Sequence, residues 1–120
     1  MNPTDLKQKK CQACEGVGKA LTKDEAQKFL SQTPGWQLSS DAKGISREYV
    51  TRNFLAAVNF INKIAQVAEA ENHHPDLHLT GYRKFRVDLS THAVGGLSEN
   101  DFILAAKINE LPVELKKQDV

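Results

Sequence analysis

The longest apolar periodic segment in the chain runs from Asn53 to about Asn72, and Pro75 follows it. Nine apolar residues recur there at helical spacing: Phe54, Val58, Ile61, Ala65 and Ala68, with Leu55, Ala57, Ile64 and Val67 widening the stripe. The pattern predicts an amphipathic helix capped by Asn53. Proline cannot continue a helix and pushes the preceding residue toward extended backbone. The rest of the chain must therefore pack against one long helix, which ends at His73 and His74.

Two pairs of strand-like segments flank this helix. Trp36–Leu38 and Ile45–Thr51 precede it, and Leu77–Tyr82 and Lys84–Thr91 follow it. In the last segment apolar and charged residues alternate, which is typical of an antiparallel sheet with one covered face. The four segments together therefore predict one antiparallel sheet.

A shorter helix is predicted near each end of the chain. Thr22 with Glu25, and Ser98 with Asp101, have the spacing of capping boxes, which begin helices. The predicted order is α-β-β-α-β-β-α, an α+β fold with a four-stranded antiparallel sheet and three helices on one face. We expect a flexible N-terminal arm over residues 1–20, one domain over 21–112 and a polar C-terminal tail over 113–120.

Length and charge narrow the class of protein. A chain of 120 residues can form one domain with its own core. The net charge of +1 gives no reason to expect nucleic acid or an anionic membrane as a partner. No run approaches the roughly 20 apolar residues of a membrane span, and the lysine-rich N-terminus lacks the apolar run of a secretory signal. We therefore expect a cytoplasmic protein.

Cys11 and Cys14 form a Cys-x-x-Cys motif, which could be a redox pair or half of a zinc site. A zinc site needs more ligands, and there is no second cysteine pair. A thioredoxin-like motif should follow a strand and open a helix. We expect reduced thiols on a loose arm and no bound cofactor.

All four histidines lie between His73 and His92. Histidine changes its charge near neutral pH, so this concentration favours proton chemistry or metal binding. If the strand that ends near His92 lies beside the start of the strand at Leu77, then His73, His74 and His92 approach one pocket. His78 lies within a strand, and its side chain can point elsewhere.

The histidines have structural and metal-binding interpretations too. His74 or His78 could be a favourable cation near a helix end, His92 could bond backbone, and Asp101 could be only a helix cap. Two or three histidines with Asp76 or Asp101 could bind zinc or iron. Adjacent histidines diverge in extended chain, however, and no His-x-x-x-His spacing is present. We therefore favour metal-free general acid–base catalysis.

Two blocks and two single residues carry a family resemblance: His73-His74-Pro75, Thr91-His92 with Gly95-Gly96-Leu97, Tyr82 and Asp101. They resemble the pterin-4a-carbinolamine dehydratases, also called dimerization cofactors of the hepatocyte homeodomain factor. The similarity extends from about Leu21 to Leu111. Compared with the animal members, the segment between the blocks is one residue longer, near Gly81, and the cysteine arm lies outside the animal-type core.

This resemblance implies dehydration of 4a-hydroxytetrahydrobiopterin to quinonoid dihydropterin, which recycles the cofactor of aromatic amino acid hydroxylases. It also implies assembly as homodimers or homotetramers. We expect His73 and His92 to be the acid–base pair, in either order, with His74 positioning the pterin. Asp101 would orient a histidine or serve only as the cap. The residues expected at the substrate lie in the two blocks: His73, His74, Pro75, Thr91, His92, Ala93 and Val94.

The sequence is also compatible with functions other than dehydration. The animal members also bind the dimerization helices of a transcription factor, so a protein-interaction module is one alternative. A histidine metal-binding protein is another, and a molybdopterin-related role is a lesser one. Turnover that depends on His73 would separate the enzyme from the binding module.

Overall fold

The computed structural model describes residues 6–11 and 18–117. Its elements in chain order are α1 (Lys23–Leu30), β1 (Gln37–Leu38), β2 (Ile45–Val50), α2 (Phe54–Glu71), β3 (Asp76–Thr80), β4 (Lys84–Leu89) and α3 (Glu99–Asn109). Short 3₁₀ turns lie at Leu6–Gln8 and His92–Val94. The predicted α+β fold and its order α-β-β-α-β-β-α are confirmed.

The four strands form one antiparallel sheet in the order β1-β2-β4-β3. Alternate side chains of β2 and β4 are buried in the same core as the helices: Ile45, Tyr49, Phe85, Val87 and Leu89. The side chains between them, such as those of Glu48, Lys84 and Arg86, are exposed. The helices therefore cover one face of the sheet, and the other face is open.

The register of β3 on β4 determines where the histidine blocks meet. Asp76, the first residue of β3, lies opposite Asp88, near the end of β4. The chain that enters β3 and the chain that leaves β4 are therefore at the same end of the sheet. The predicted approach of these two strand ends is confirmed.

The predicted helix caps are present. The Thr22 hydroxyl accepts the Glu25 N–H at 3.2 Å, and the Glu25 carboxylate accepts the Thr22 N–H at 2.9 Å. The Asn53 side chain accepts the Ala56 N–H at 2.8 Å and begins α2. At the other end of α2, Asn72 adopts the left-handed conformation with φ +52°.

The buried face of α2 differs from the predicted stripe. Its core side is formed by Ala57, Phe60, Ile64 and Ala68, whereas Phe54 and Leu55 are 55% and 65% exposed. The helix carries more apolar residues than one face can hold. Spacing alone could not decide which of its two apolar stripes the sheet covers.

Several strand ends also differ from the prediction. Tyr82 was expected in a strand, but it lies in the turn after β3 with φ +54°, beside Gly81 with φ +53°. Trp36 lies outside β1, and its indole N–H donates to the Asn109 side chain at 2.9 Å. Thr91 lies beyond β4, because its N–H donates to the Gly96 carbonyl across a short loop.

The described parts of the arm and tail contact the domain. Leu6 is buried in the core. In the tail, the Lys116 N–H donates to the Val50 carbonyl at 2.8 Å, and Glu114 accepts the Arg52 N–H at 2.9 Å. The described residues before the predicted boundary at residue 20 and after the one at residue 113 therefore pack against the domain. Cys14 lies outside the described residues.

Candidate active site

His73 follows α2 directly and is held at both its backbone and its ring. After the left-handed turn at Asn72, the His73 N–H donates to the Ala68 carbonyl at 3.2 Å. The side chain is 5% exposed, and its Nε2 lies 2.6 Å from Asp101 Oδ1. A buried imidazole with one fixed nitrogen keeps a single orientation.

Asp101 lies in the first turn of α3 and is fully buried. Its second oxygen, Oδ2, accepts the Ser98 N–H at 3.0 Å and the Thr91 hydroxyl at 2.8 Å. The sequence left two roles open for Asp101, and its two oxygens make the contacts of both. Oδ2 caps α3, while Oδ1 is bonded to the His73 ring.

The hydroxyl of Thr91 gives this network a direction. Thr91 Oγ1 lies 2.7 Å from Ser98 Oγ. Since Thr91 uses its one proton on Asp101, Ser98 must donate in this contact. Both groups on Oδ2 are then donors, which fits an ionised Asp101 carboxylate. We infer that His73 donates from Nε2 to Asp101; in the neutral tautomer that makes this bond, Nδ1 is an acceptor.

His92 begins the 3₁₀ turn that follows Thr91, and its side chain is exposed. The Thr91 carbonyl accepts the Val94 N–H at 3.1 Å, and Gly95 closes the turn with φ +65°. The N–H groups of His92 and Ala93 precede the first bond of this turn, so the turn itself does not use them. Within residues 6–11 and 18–117, neither N–H donates to another backbone group.

The other two histidines lie in exposed surroundings. His74 is exposed and is paired through Nε2 with Glu69, in the last turn of α2. His78 lies on the open face of the sheet, with Nε2 2.8 Å from Asp88. The structure thus connects His73 to the Thr91–His92 segment through Asp101, whereas the contact of His74 is with Glu69 and that of His78 is with Asp88.

Metal ligation and the state of the Cys11 thiol were the other two questions that the sequence raised. In the described part of the chain, no three or more His, Cys, Asp or Glu side chains are close enough to hold a metal ion. Burial, with the nearby Glu71 carboxylate adding to it, raises the pKa of the Cys11 thiol to about 12. The Cys11 thiol is therefore protonated at neutral pH, which is not the state of a reactive cysteine.

Two residues of this region were not singled out for the site from the sequence. Ser98 was treated only as a cap, but its hydroxyl extends the buried network to Thr91. Glu69 was not considered, although it lies in the last turn of α2 and its carboxylate pairs with the His74 ring. A carboxylate a few residues before the histidine block was the available signal.

Comparison with known proteins shows which family the chain belongs to. The family model for pterin 4 alpha carbinolamine dehydratase matches residues 19–111. The chain belongs to the pterin-4a-carbinolamine dehydratase family. The predicted resemblance is thus confirmed over nearly the stretch expected.

Individual members of the family agree with this assignment. The chain is 45% identical to pterin-4-alpha-carbinolamine dehydratase 2, mitochondrial, of Arabidopsis thaliana, over 97% of this chain, but it spans only 65% of the plant protein's length. A protein of Halorhodospira halophila, provisionally named as such a dehydratase, is 45% identical over 88% of this chain and 96% of its own.

A solved structure shares the fold. The crystal structure of a protein from Brucella melitensis, described as a transcriptional coactivator/pterin dehydratase, superimposes with a TM-score of 0.70 at 32% identity. The match covers 76% of this chain and 96% of the Brucella chain. The dehydratase fold is therefore common to both.

Proposed function

We propose that this chain catalyses the dehydration of a pterin-4a-carbinolamine, 4a-hydroxytetrahydrobiopterin, to the quinonoid dihydropterin. The observation that carries the proposal is the buried Asp101, which joins the His73 ring to the segment that bears His92. Membership of the dehydratase family supplies the substrate class.

The reaction needs one proton delivered and one removed. The proton of a pterin ring nitrogen leaves to a base, the nitrogen electron pair forms the C=N bond, and the C4a–O bond breaks. The departing hydroxyl takes a proton from an acid and leaves as water. General acid–base catalysis of this kind typically contributes about 100- to 10,000-fold in rate.

The contacts of the two histidines favour a division of these tasks. Asp101 binds Nε2 of the His73 ring, so the lone pair on Nδ1 is free to accept a proton. His73 is therefore suited to take the proton from the pterin ring nitrogen. Asp101 then stabilises the imidazolium that forms, as the carboxylate does in other His–Asp pairs. His92 is exposed and exchanges protons with water directly, so it is suited to protonate the departing hydroxyl.

The rest of the expected substrate site is proposed around this pair. The free N–H groups of His92 and Ala93 would bond the pterin edge, with Thr91 and Val94 completing the turn. Pro75 would fix the loop between α2 and β3. His74, paired with Glu69, would position the pterin from the exposed side.

Turnover measured with three proteins tests the proposal. We expect the wild type to dehydrate synthetic 4a-hydroxytetrahydropterin, His73→Ala to lose about 100-fold or more in kcat, and His78→Ala to keep its activity. His78→Ala is the matched control because its ring pairs with Asp88 on the open face. Equal activity in all three proteins would overturn the assignment of His73, and loss of wild-type turnover with a chelator would favour a metal site.

One surface of α2 is suited to contact another protein chain. Exposed Phe54 and Leu55, beside half-buried Val58 and Ile61, form an apolar stripe on α2. We infer that another copy of the chain covers this stripe in a homodimer or homotetramer. The same stripe would suit a helix-binding module, the second candidate function, and the Brucella protein is described as a coactivator.

Recycling of the cofactor of an aromatic amino acid hydroxylase would follow from the dehydratase activity. Adding the protein to such a hydroxylase should then sustain its turnover at limiting pterin, and His73→Ala should not.

The cytoplasm is the location predicted from the sequence. The plant relative's name places that relative in mitochondria, and no helix in the described part of this chain has the length and apolarity to cross a membrane.

A further inference from the structure

The segment Leu6–Cys11, called the strap below, lies against α3 and is held at several points. Leu6 is buried, Lys9 pairs with Glu99 at 2.5 Å, and Lys7 pairs with Glu110 at 3.2 Å. Glu99 is the first residue of α3, and Glu110 follows its last residue. The strap therefore contacts both ends of the helix that carries Asp101.

Glu71 joins the strap and α3 to the end of α2. It is buried, and its two oxygens serve different partners: Oε1 accepts the Cys11 N–H at 2.8 Å, and Oε2 accepts the Lys107 ammonium at 3.0 Å. Burial opposes the charged form of Glu71. The hydrogen bonds from Cys11 and Lys107 outweigh it and hold the pKa of Glu71 below its ordinary value.

The two partners of Glu71 reach α3 on either side of Asp101: Cys11 contacts α3 before Asp101, and Lys107 is a residue of α3 after it. The Cys11 thiol donates to the Asn100 carbonyl at 3.6 Å, immediately before Asp101. Lys107 lies seven residues beyond Asn100, about 10 Å along the helix axis. A carboxylate bound to both restrains α3 along its axis relative to the end of α2.

Glu71 is also the last residue of α2, so what it fixes is passed directly to His73. Only Asn72 separates them, and the His73 N–H is itself bonded back to α2 at Ala68. The His73–Asp101 bond of 2.6 Å spans the junction between α2 and α3. A shift of one helix against the other would change this distance first.

We propose that Glu71 is a positioning residue of the dehydratase site. By binding the strap through Cys11 and α3 through Lys107, it sets the distance between His73 and Asp101. The inference that this affects turnover rests on the proposed function. The inference that it affects the His73 ring does not.

The test compares Glu71→Ala with Glu110→Ala, and with Glu71→Gln as the conservative variant. Glu110→Ala removes one of the two ion pairs between the strap and the ends of α3, the exposed pair with Lys7, which lies at the opposite end of α3 from Asp101. We expect Glu71→Ala to lower kcat by about 10- to 100-fold with KM changed less than about threefold, because a displacement near 1 Å can cost that much. Glu71→Gln keeps an acceptor for Cys11 and should fall between wild type and Glu71→Ala, while Glu110→Ala should match wild type.

The second readout is the nitrogen NMR spectrum of the histidine rings, which needs no turnover. In Glu71→Ala, and less so in Glu71→Gln, the His73 ring N–H signal should shift and its proton should exchange faster with water. Unchanged His73 signals in both variants would overturn the proposal, even if their melting temperatures fell, since a purely structural role predicts that pattern. If the wild type had no turnover but the His73 signals shifted as expected, the positioning role would stand while the proposed function failed.

Discussion

Asp101 holds three donors at once: the His73 ring, the Thr91 hydroxyl and the Ser98 N–H. It is fully buried, so none of these contacts can be replaced by water without rearrangement. The same carboxylate begins α3 and orients the ring proposed as the base. The start of α3 and the proposed chemistry therefore depend on the same side chain.

Asp101→Asn should separate these roles only partly. An amide offers one acceptor oxygen in place of two, so either the His73 bond or the cap is lost. We expect kcat to fall by about 100-fold or more and the free energy of unfolding to fall by about 1–3 kcal/mol. Turnover and urea denaturation measure the two effects. Asp88→Asn, which alters an exposed pair with His78 and Arg86, is the control, and equal effects of both substitutions would contradict the assigned role.

The Cys11 thiol should be slow to react. Because burial and Glu71 raise its pKa from 9.0 to about 12, the reactive thiolate is scarcer in the folded protein, and we expect alkylation at pH 8 to be on the order of 1,000-fold slower than in the denatured chain. The measurement uses a Cys14→Ser background so that only Cys11 reports. Equal rates in folded and denatured protein would contradict the burial.

The same shift predicts a pH dependence of stability. The folded-state pKa lies above the unfolded one, so the contribution of Cys11 is fully present below pH 9 and is lost as the pH rises toward about 12. Tyr49, whose pKa burial raises to about 12, contributes in the same direction. Cys11→Ala should therefore lose less stability than wild type between pH 9 and 12, as denaturation at several pH values would measure.

At the level of elements, the end of α2 sets the position of the histidine block. Asn72 takes the left-handed conformation that lets the chain turn out of the helix before Pro75. Asparagine tolerates this conformation better than other non-glycine residues, because its short polar side chain bonds locally. The turn and the block after it are thus encoded together.

Substitution at Asn72 tests this turn. Asn72→Ala should lower the free energy of unfolding by about 1 kcal/mol, since alanine is strained at φ +52°. Asn72→Gly should stay within about 0.5 kcal/mol of wild type or exceed it. Both values come from urea denaturation, and alanine equal to glycine would show that the turn does not require this conformation.

At the level of the whole molecule, the exposed stripe on α2 is unlike a typical monomer surface. Phe54 and Leu55 are more than half exposed, whereas Phe60 and Ile64 of the same helix are buried in the core. Large apolar side chains clustered in this way are typical of an interface. We therefore expect the isolated protein to self-associate.

A charge placed in the stripe should disrupt this assembly. Phe54→Glu should reduce the mass measured by light scattering toward that of one chain, because a carboxylate would be buried against a second copy. Leu115→Glu changes an exposed leucine outside α2 and is the matched control. A mass unaffected by Phe54→Glu would contradict an interface at this stripe.

The sequence predicted the order of elements because each has a local signal. The capping residues Thr22 and Asn53, the break at Pro75 and the alternation in β4 are all short-range patterns. The adjacency of the two histidine blocks followed from strand pairing. These parts of the fold needed no tertiary information.

What the sequence could not predict depends on packing between distant segments. Which stripe of α2 is covered depends on where the sheet lies, and burial of Leu6 depends on a strap that has no helix or strand pattern of its own. The pairing of Glu71 with Cys11 and Lys107 joins residues 60 and 36 positions apart. No local periodicity reports such contacts.

We propose that His73 and His92 act as one acid–base unit, and a double-mutant cycle measures the coupling between them. The dehydration rate of synthetic 4a-hydroxytetrahydropterin would be measured for wild type, His73→Ala, His92→Ala and the double variant. Residues that act together are strongly non-additive, so the double variant should be about as slow as the slower single variant. Losses that multiply, or a His92→Ala protein with full turnover, would contradict the claim.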